Sequence, residues 1–518
     1  MEKQLFNKLH QLLNTEKFDD AIQLIAETFK SVSFGADADS LRLKIELYGF
    51  LTDIGCESQN ENVLHEAIKF FEANEKQILT CITKSSYYYN LANAKHGLGE
   101  IFYYNNRGVH SIKTVKEKFQ EPIKLYWLAY KNISETDKGL FFQILINLSN
   151  SLVNASRIVE GLQFLDMVLT IAPNFPQALI SRGDNLDYLS TVTNCSVTTS
   201  LYTQIYRSYD GGIKTNTLPP SIFNRSIQHR EHALDTIKKH GFNVKDIEKE
   251  IEESEKEFDN HTDFRKYCII NFLTLNEHSI YCNCIATEKD DLQIGVKHGI
   301  FKSDIVPQLE LLLNRIKSEF ALSRWLYYQS LKTESPVECD TRFTELLDGE
   351  VINSQTELQR TSFRLCYGLL DKIALGICKL YNLDSKRIHF ETFWDEPKSN
   401  EQLNQIRNIH LNALYSIACD LNTKTGELKE FKNWRNDLEH NLLVLKDTSQ
   451  MNFDVLKLFR DKNFVSVADS KDFTNKTLHL MQLTRAAIFS FVYCVRLQTI
   501  HHIDESLSEH TFKIAFKK

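Results

Sequence analysis

The chain contains very little proline and glycine. Proline accounts for 8 of its 518 residues and glycine for 18, against average shares of about 5% and 7%. Because these residues shape tight turns, bulges and barrel corners, their scarcity argues against a β-sandwich, a β-barrel and a glycine-rich nucleotide loop. It favours helices joined by short connections, so we predict an all-α protein, divided by its length into roughly two to four domains.

Long apolar runs are also scarce. Residues 1–30 form an amphipathic pattern with scattered charges, so we predict no signal peptide. We find no run of about 18 uncharged apolar residues and predict no membrane span. The 11 cysteines are an odd number, spread mostly through apolar runs, which is typical of reduced thiols in the cytoplasm. We therefore expect a cytoplasmic protein that does not bind membranes.

Motifs for metals and cofactors are missing as well. Cys282 and Cys284 form a C-x-C pair with no second pair, and this spacing argues against a zinc site. The sequence has no GxxxxGK[ST], GxGxxG, HExxH or GxSxG motif. We expect no cofactor and no metal. The net charge of −7 argues against non-specific coating of nucleic acid, but it does not exclude a local nuclease site.

Pairs of amphipathic helices repeat through residues 1–205. In the clearest pair, small Ser149 on the first helix is placed to meet small Gly161 on the second, and Pro173 ends the unit. The same pattern of residues begins again 34 residues later, with Gly183 at the position that corresponds to Ser149. This segment resembles the tetratricopeptide repeat family, although an irregular helical bundle is the alternative. The resemblance implies a concave surface that binds a protein or peptide partner.

A change of composition separates this segment from the rest of the chain. Residues 190–222 are rich in Ser, Thr, Tyr, Asn and Gly, which is typical of a domain boundary. We predict a linker with connector helices over 206–300 and a helical bundle over 301–510. Apolar residues at three-and-four spacing predict its helices, which cover 309–328, 341–348, 354–381, 400–421, 428–445 and 475–502.

One polar constellation lies in this bundle. Arg435 is followed directly by Asn436 and, after four intervening residues, by His440. This pattern resembles the signature of the HEPN superfamily, an Arg and a His separated by four to six residues. Roughly two matches to this spacing are expected by chance in this chain. Two further matches occur, Arg496–His501 and Arg225–His232. Neither has an Asn after the Arg, so we rank Arg435, Asn436 and His440 first.

The resemblance implies metal-independent cleavage of RNA by catalytic Arg435, Asn436 and His440. Histidine can act as a base near neutral pH, and arginine can stabilise the charge on the reacting phosphate. Residues five apart point about 140° away from each other around a helix. We therefore expect a homodimer, in which two copies complete the site, as the resemblance also implies.

Two functions remain open from the sequence. The first is an endoribonuclease effector of the toxin or phage-defence type, regulated or targeted by the repeats. The second is a non-catalytic scaffold whose bundle dimerises or binds a nucleotide, with His440 as a surface or interface histidine. Projection of Arg435 and His440 into a shared, solvent-open cleft at a twofold axis would favour the first, and burial of His440 against its own bundle would favour the second.

Overall fold

The structure is a computed structural model. It describes residues 2–31, 38–106, 110–134, 136–192, 199–295, 300–301, 305–332, 350–385, 388–447, 464–499 and 503–504. Helices dominate these residues, which confirms the predicted all-α class. The chain divides into two compact units, unit 1 (Met1–Ile247) and unit 2 (Glu248–Lys518). The residues predicted as a linker, 206–300, are thus shared between the two units.

Unit 1 is a succession of helices. Their bounds are α1 Glu2–Asn14, α2 Phe18–Ser31, α3 Ala38–Glu57, α4 Glu61–Ala73, α5 Glu75–Ile78, α6 Lys84–Asn105, α7 Ile112–Thr114, α8 Gln120–Lys131, α9 Lys138–Asn154, α10 Ile158–Ile171, α11 Pro176–Val192, α12 Thr199–Lys214 and α13 Pro220–Lys239. A π-helical turn, Val115–Phe119, links α7 to α8. Polar caps begin several helices, as where the Asn60 side chain accepts from the backbone N–H groups of Asn62 and Val63.

Neighbouring helices along the chain pack against each other in unit 1. The predicted meeting of small residues is confirmed between α9 and α10. The Ser149 hydroxyl donates to the Gly161 carbonyl at 2.9 Å, and a Cβ on Gly161 would lie 2.8 Å from Val153 Cγ2. Only a small residue lets the two backbones approach this closely. The assignment of these helices to tetratricopeptide repeats stays a prediction.

Unit 2 is a helical bundle with short strands. After α14 (Val244–Glu257), which spans the division between the units, its elements are α15 Asp263–Ile270, β1 Ile300–Phe301, α16 Ile305–Ser330, α17 Ser354–Leu380, α18 Pro397–Gln405, α19 Ile409–Leu421, α20 Lys429–His440, β2 Leu442–Lys446, β3 Val465–Asp469, α21 Ser470–Thr499 and β4 Ile503–Asp504. Helix α17 packs against α16, α20 and α21, and α19 packs against α20 and α21. Strand β2 pairs in parallel with β3, and β1 pairs antiparallel with β4.

Three of the predicted bundle helices have different limits. The helix expected over 400–421 is two helices, because the Asn408 side chain caps a new start at Ile409. The helix expected over 428–445 ends at His440, where Asn441 is extended and β2 begins. The last helix starts at Ser470, earlier than predicted, and ends at Thr499. The helix predicted over 341–348 lies outside the described residues.

Helix α21 is a core helix of unit 2. By length and composition alone it could cross a membrane, but 83% of its most apolar 18-residue stretch is buried inside the protein. The apolar residues therefore serve as core, with Phe491 in contact range of Gly376 on α17. A Cβ at Gly376 would lie 2.7 Å from the Phe491 ring. The α17–α21 contact thus depends on this glycine.

Candidate active site

A tight connection sets the position of α20, the helix with the predicted site. The Asn422 side chain accepts from the backbone N–H groups of Lys424 and Thr425, at 3.0 and 3.2 Å. The Leu428 N–H donates to the Asp420 carbonyl at 2.8 Å. A Cβ on Gly426 would run into that same carbonyl group. Glycine is therefore required at 426 for the chain to turn from α19 into α20.

The apolar side of α20 packs against α17 and α21. The Trp434 ring lies 6.2 Å from the Phe363 ring and 5.4 Å from the Phe473 ring, measured between centroids. The Phe431 ring also meets Phe363, at 6.2 Å. Trp434 thus packs between α17 and α21. These contacts orient the opposite, polar side of α20.

A buried ion pair supports that polar side. Lys432 Nζ lies 2.7 Å from Glu391 Oε1, with side chains only 10% and 3% exposed. The Tyr367 hydroxyl on α17 donates to the other Glu391 oxygen at 3.4 Å, and the Lys432 ammonium lies 5.3 Å from the Tyr367 ring centroid. Burial, followed by the charges of Glu391 and Asp371, raises the pKa of Tyr367 well above its usual value. The phenol is therefore a neutral donor.

The three predicted catalytic residues lie on one helix but do not converge. Arg435 Nη1 donates to Asn436 Oδ1 at 3.3 Å, and both side chains are partly buried. Arg435 lies near enough to Tyr367 for its charge to oppose the rise in the pKa of that phenol. His440 is the last residue of α20, and its side chain is exposed. The structure brings Arg435 and Asn436 together and places His440 apart from them, facing solvent.

Two arginines, Arg360 and Arg364, lie on the face of α17 that carries Tyr367. Arg360, Arg364 and Tyr367 follow at spacings of four and three, which puts them on one face of the helix. Arg360 Nη2 donates to the Leu443 carbonyl at 3.0 Å and is paired with Glu350 and Glu357. Within the described part of the chain, neither Arg364 nor Arg435 has a carboxylate partner. Sequence analysis missed Arg364 because only the packing of α17 on α20 brings the face that it shares with Tyr367 to the motif.

Apolar side chains are exposed on the strands that follow His440. Leu442 on β2, Val467 on β3 and Phe464 just before β3 are 42%, 43% and 57% exposed. Asp437 on α20 accepts from the Ser466 hydroxyl and from the Asn441 amide, which fastens both strands to the helix. The exposed apolar residues are thus held close to the exposed histidine.

The other Arg-to-His matches have different surroundings. Arg496 on α21 pairs with Glu277 at 2.7 Å and donates to the backbone carbonyls of Gln293 and Ile294. Its partner in the pattern, His501, lies outside the described residues, as does His502. Arg225 lies in unit 1 and pairs with Asp184 at 3.0 Å. Both arginines therefore hold parts of their own unit together.

Unit 1 contains a second feature, a cleft whose lining includes two carboxylates and His10. The cleft has a volume of about 490 Å³ and lies between α1, α3 and α6, with Glu46 and Asp53 in its lining. Burial by surrounding protein, with a contribution from Glu57, raises the pKa of Asp53 to about 7. Burial and the charge of Glu2 raise the pKa of Glu46. We call the cleft with Glu46 and Asp53 in its lining the acidic groove. The charge of nearby Glu57 acts on Asp53.

Comparison with known protein families gives a match within unit 2. Residues 300–498 match the family described as LA2681-like HEPN. This match supports a HEPN-superfamily C-terminal region, and it includes α16 to α21 with the whole candidate site. No curated protein and no solved structure matches the chain.

Proposed function

We propose that the protein is a metal-independent endoribonuclease effector that cuts RNA with Arg435, Asn436 and His440 in a dimeric site. One observation carries the proposal: within a HEPN-superfamily region, an exposed histidine ends the helix on which Arg435 is held by Asn436. An imidazole that faces solvent is available to a large substrate. A histidine buried in its own bundle would have favoured the scaffold.

The residue types suit cleavage by the RNA's own 2′-hydroxyl group. His440 would remove the proton from the 2′-oxygen, which attacks the adjacent phosphorus and expels the 5′-oxygen of the next nucleotide. Arg435 would stabilise the negative charge that builds on the phosphate oxygens, with the planar donors that suit them. Asn436 accepts a hydrogen bond from Arg435 and so orients that guanidinium group. The departing 5′-oxygen would take a proton from water, so the products would be a 2′,3′-cyclic phosphate and a free 5′-hydroxyl.

Two copies of the chain would be needed to close this site. Arg435 and His440 diverge by about 140° around α20, so one helix cannot place both on a single phosphate. A twofold axis beside α20 would set Arg435 of one copy opposite His440 of the other. The exposed apolar residues Leu442, Phe464 and Val467 lie beside His440 and would be covered by the second copy.

Positive charge for RNA would come from two helices. Arg364 on α17 and Arg435 on α20 are the arginines near the site without a carboxylate partner in the described ranges. RNA affinity from so few charges would be modest and sensitive to salt. Unit 1 would then target or regulate the nuclease, as in a toxin or phage-defence effector of the cytoplasm.

The direct test is incubation of the purified full chain with total RNA and with tRNA in the presence of EDTA. We expect cleavage that resists the chelator, with fragments ending in a 2′,3′-cyclic phosphate. A melting curve recorded in the same buffer checks that the protein stays folded. If the folded protein leaves both RNAs intact, the alternative is favoured: a scaffold that dimerises or binds nucleotide through its C-terminal region.

The acidic groove favours a positively charged protein or peptide as the partner of unit 1. Close carboxylates such as Asp53 and Glu57 repel each other when ionised, and a cationic segment would relieve that repulsion. Such a partner could hold the effector inactive or bring it to its RNA.

The charge of Asp53 also predicts how stability depends on pH. Its folded-state pKa of about 7 exceeds the unfolded value of about 3.9, so the folded state holds the extra proton between these values. Stability from this group is present in acid and lost as the pH rises through 7. We expect Asp53→Asn to raise the melting temperature at pH 8 and to have little effect near pH 4.

We expect oligolysine to raise the melting temperature of the wild type at pH 8. The increase should be smaller for Asp53→Asn. Asp235→Asn, which changes an exposed carboxylate on α13, serves as the control. If Asp53→Asn changed the melting temperature equally at pH 4 and pH 8, the result would contradict the role of this carboxylate in the groove.

A further inference from the structure

Three side chains with metal-binding atoms meet in the segment that precedes the HEPN-like region. His278, Cys282 and Cys284 each offer one ligand atom, and these atoms all lie within 4.8 Å of one another. His278 Nε2 lies 3.1 Å from Cys284 Sγ. All three side chains are partly buried. We propose that His278, Cys282 and Cys284 bind a zinc ion.

The donor set matches what zinc prefers. Thiolate and imidazole are its usual protein ligands, with Zn–S distances of about 2.3 Å and Zn–N distances of about 2.0–2.1 Å in a tetrahedron. Ligand atoms around such an ion lie about 3.5–3.8 Å apart, as follows from these distances. Atoms that all fall within 4.8 Å can reach this arrangement by small side-chain movements. Three protein ligands leave the fourth position for water.

The surrounding chain holds the two cysteines in place. The His261 ring, 5% exposed, lies with Nε2 3.3 Å from the Asn283 carbonyl and 3.2 Å from the Cys284 carbonyl, where an N–H can donate to either. The Ser254 hydroxyl lies 3.3 Å from Cys282 Sγ, and the Ile285 N–H donates to Glu257 at 3.3 Å. The loop is thus fixed from α14 and from His261 independently of any ion. Such support outside the ligands is typical of metal sites.

The sequence argument against zinc rested on the absence of a second cysteine pair. The third ligand is a histidine four residues before Cys282, and a short 3₁₀ turn at His278–Ile280 folds it back onto the pair. The spacing H-x3-C-x-C does not match the usual paired-cysteine patterns, so it gave no signal.

A zinc ion here would strengthen the contact between residues 263–295 and the bundle. Glu277, next to the ligand His278, pairs with Arg496 on α21. Asp290 accepts from Arg265 at 2.8 Å and from Arg324 on α16 at 2.5 Å, and the Arg485 side chain donates to the Thr274 carbonyl. This loop-rich segment has few helices of its own, and small segments of this kind are commonly stabilised by a metal. The ion would link the His278 turn to the two cysteines and so stabilise this segment.

The inference is tested by metal analysis of the full chain purified without chelator. We expect about one zinc per chain, falling below about one-tenth in Cys282→Ser, Cys284→Ser and His278→Ala. Cys81→Ser in unit 1, a partly exposed cysteine, is the matched control and should keep its zinc. Wild-type protein without zinc, and with no uptake of added Zn²⁺ after reduction, would overturn the proposal.

Cobalt keeps the test decisive if a variant fails to fold. Co²⁺ exchanged into the wild-type chain should give the strong visible bands of a tetrahedral ion and a sulfur-to-cobalt band in the near ultraviolet. Weak octahedral bands alone, or a Cys282–Cys284 disulfide found by mass spectrometry in protein that takes up no metal after reduction, would contradict the zinc site. Because none of these readouts uses RNA, the outcome is independent of the proposed nuclease function.

Discussion

Replacing His440 with alanine is expected to abolish RNA cleavage and to leave the fold unchanged. A positioned general base contributes about 10²–10⁴ in rate, and His440 is the only histidine on α20. Arg435→Ala removes the charge that stabilises the reacting phosphate and should cost at least about 10²–10³ in rate. The measurement is the initial rate of tRNA cleavage in EDTA, with growth of cells that express each variant as a second readout.

The controls separate a catalytic role from a structural one. The His440 side chain is exposed and makes no hydrogen bond or ion pair within the described residues, so its removal should leave the melting temperature within error. His65→Ala on α4 and Arg315→Ala on α16 remove exposed residues of the same types away from the site. If His440→Ala and Arg435→Ala both cut RNA at the wild-type rate, the site assignment is wrong.

Mixing the two inactive variants tests the dimer. In a mixed dimer, intact Arg435 from one copy meets intact His440 from the other, and the opposite pair has lost both. An equal mixture gives about half mixed dimers with one of two pairs intact, so about a quarter of the wild-type rate should return. No recovery, in a mixture shown to exchange subunits, would place both residues of a working pair on one chain.

Local sequence patterns predicted the elements that depend on neighbouring residues. Helical periodicity found α16 and α17 nearly to their ends, since the apolar stripe of each lies within one helix. The close approach of α9 and α10 was predicted from Ser149 and Gly161 for the same reason. The helix expected over 400–421 is split by a cap at Asn408, a residue type that favours helix starts. This break was not predicted, because the apolar spacing continues on both sides of it.

Elements that depend on distant residues escaped the sequence argument. Leu442–Leu445 continues the apolar spacing of α20, and only the pairing of β2 with β3 makes it a strand. The separation of Arg435 from His440 follows from helix geometry and was anticipated. Arg364 was not, because nothing near Arg435 in the sequence points to α17. The zinc ligands were missed because the turn at His278 creates the cluster.

Loss of Lys432 is expected to give the largest change in stability. Lys432→Met would leave the Glu391 carboxylate, 3% exposed, without its ion-pair partner. Removing one member of a buried pair costs about 3–5 kcal/mol in the free energy of unfolding, because the remaining charge stays buried and unpaired. The contact of the Lys432 ammonium with the Tyr367 ring would be lost as well. Urea unfolding followed by tryptophan fluorescence measures this, since Trp325, Trp394 and Trp434 lie in unit 2.

The double variant Lys432→Met/Glu391→Gln should recover most of the lost free energy of unfolding. It removes both charges, and the glutamine oxygen can still accept from the Tyr367 hydroxyl, as Glu391 does. The ion pair supports α20 and does not react with RNA. The double variant should therefore cleave RNA, whereas Arg435→Ala should not. A double variant as unstable as Lys432→Met would show that the cost lies in lost packing of the lysine stem rather than in the unpaired carboxylate. A folded double variant without activity would instead place Lys432 among the groups that contact RNA.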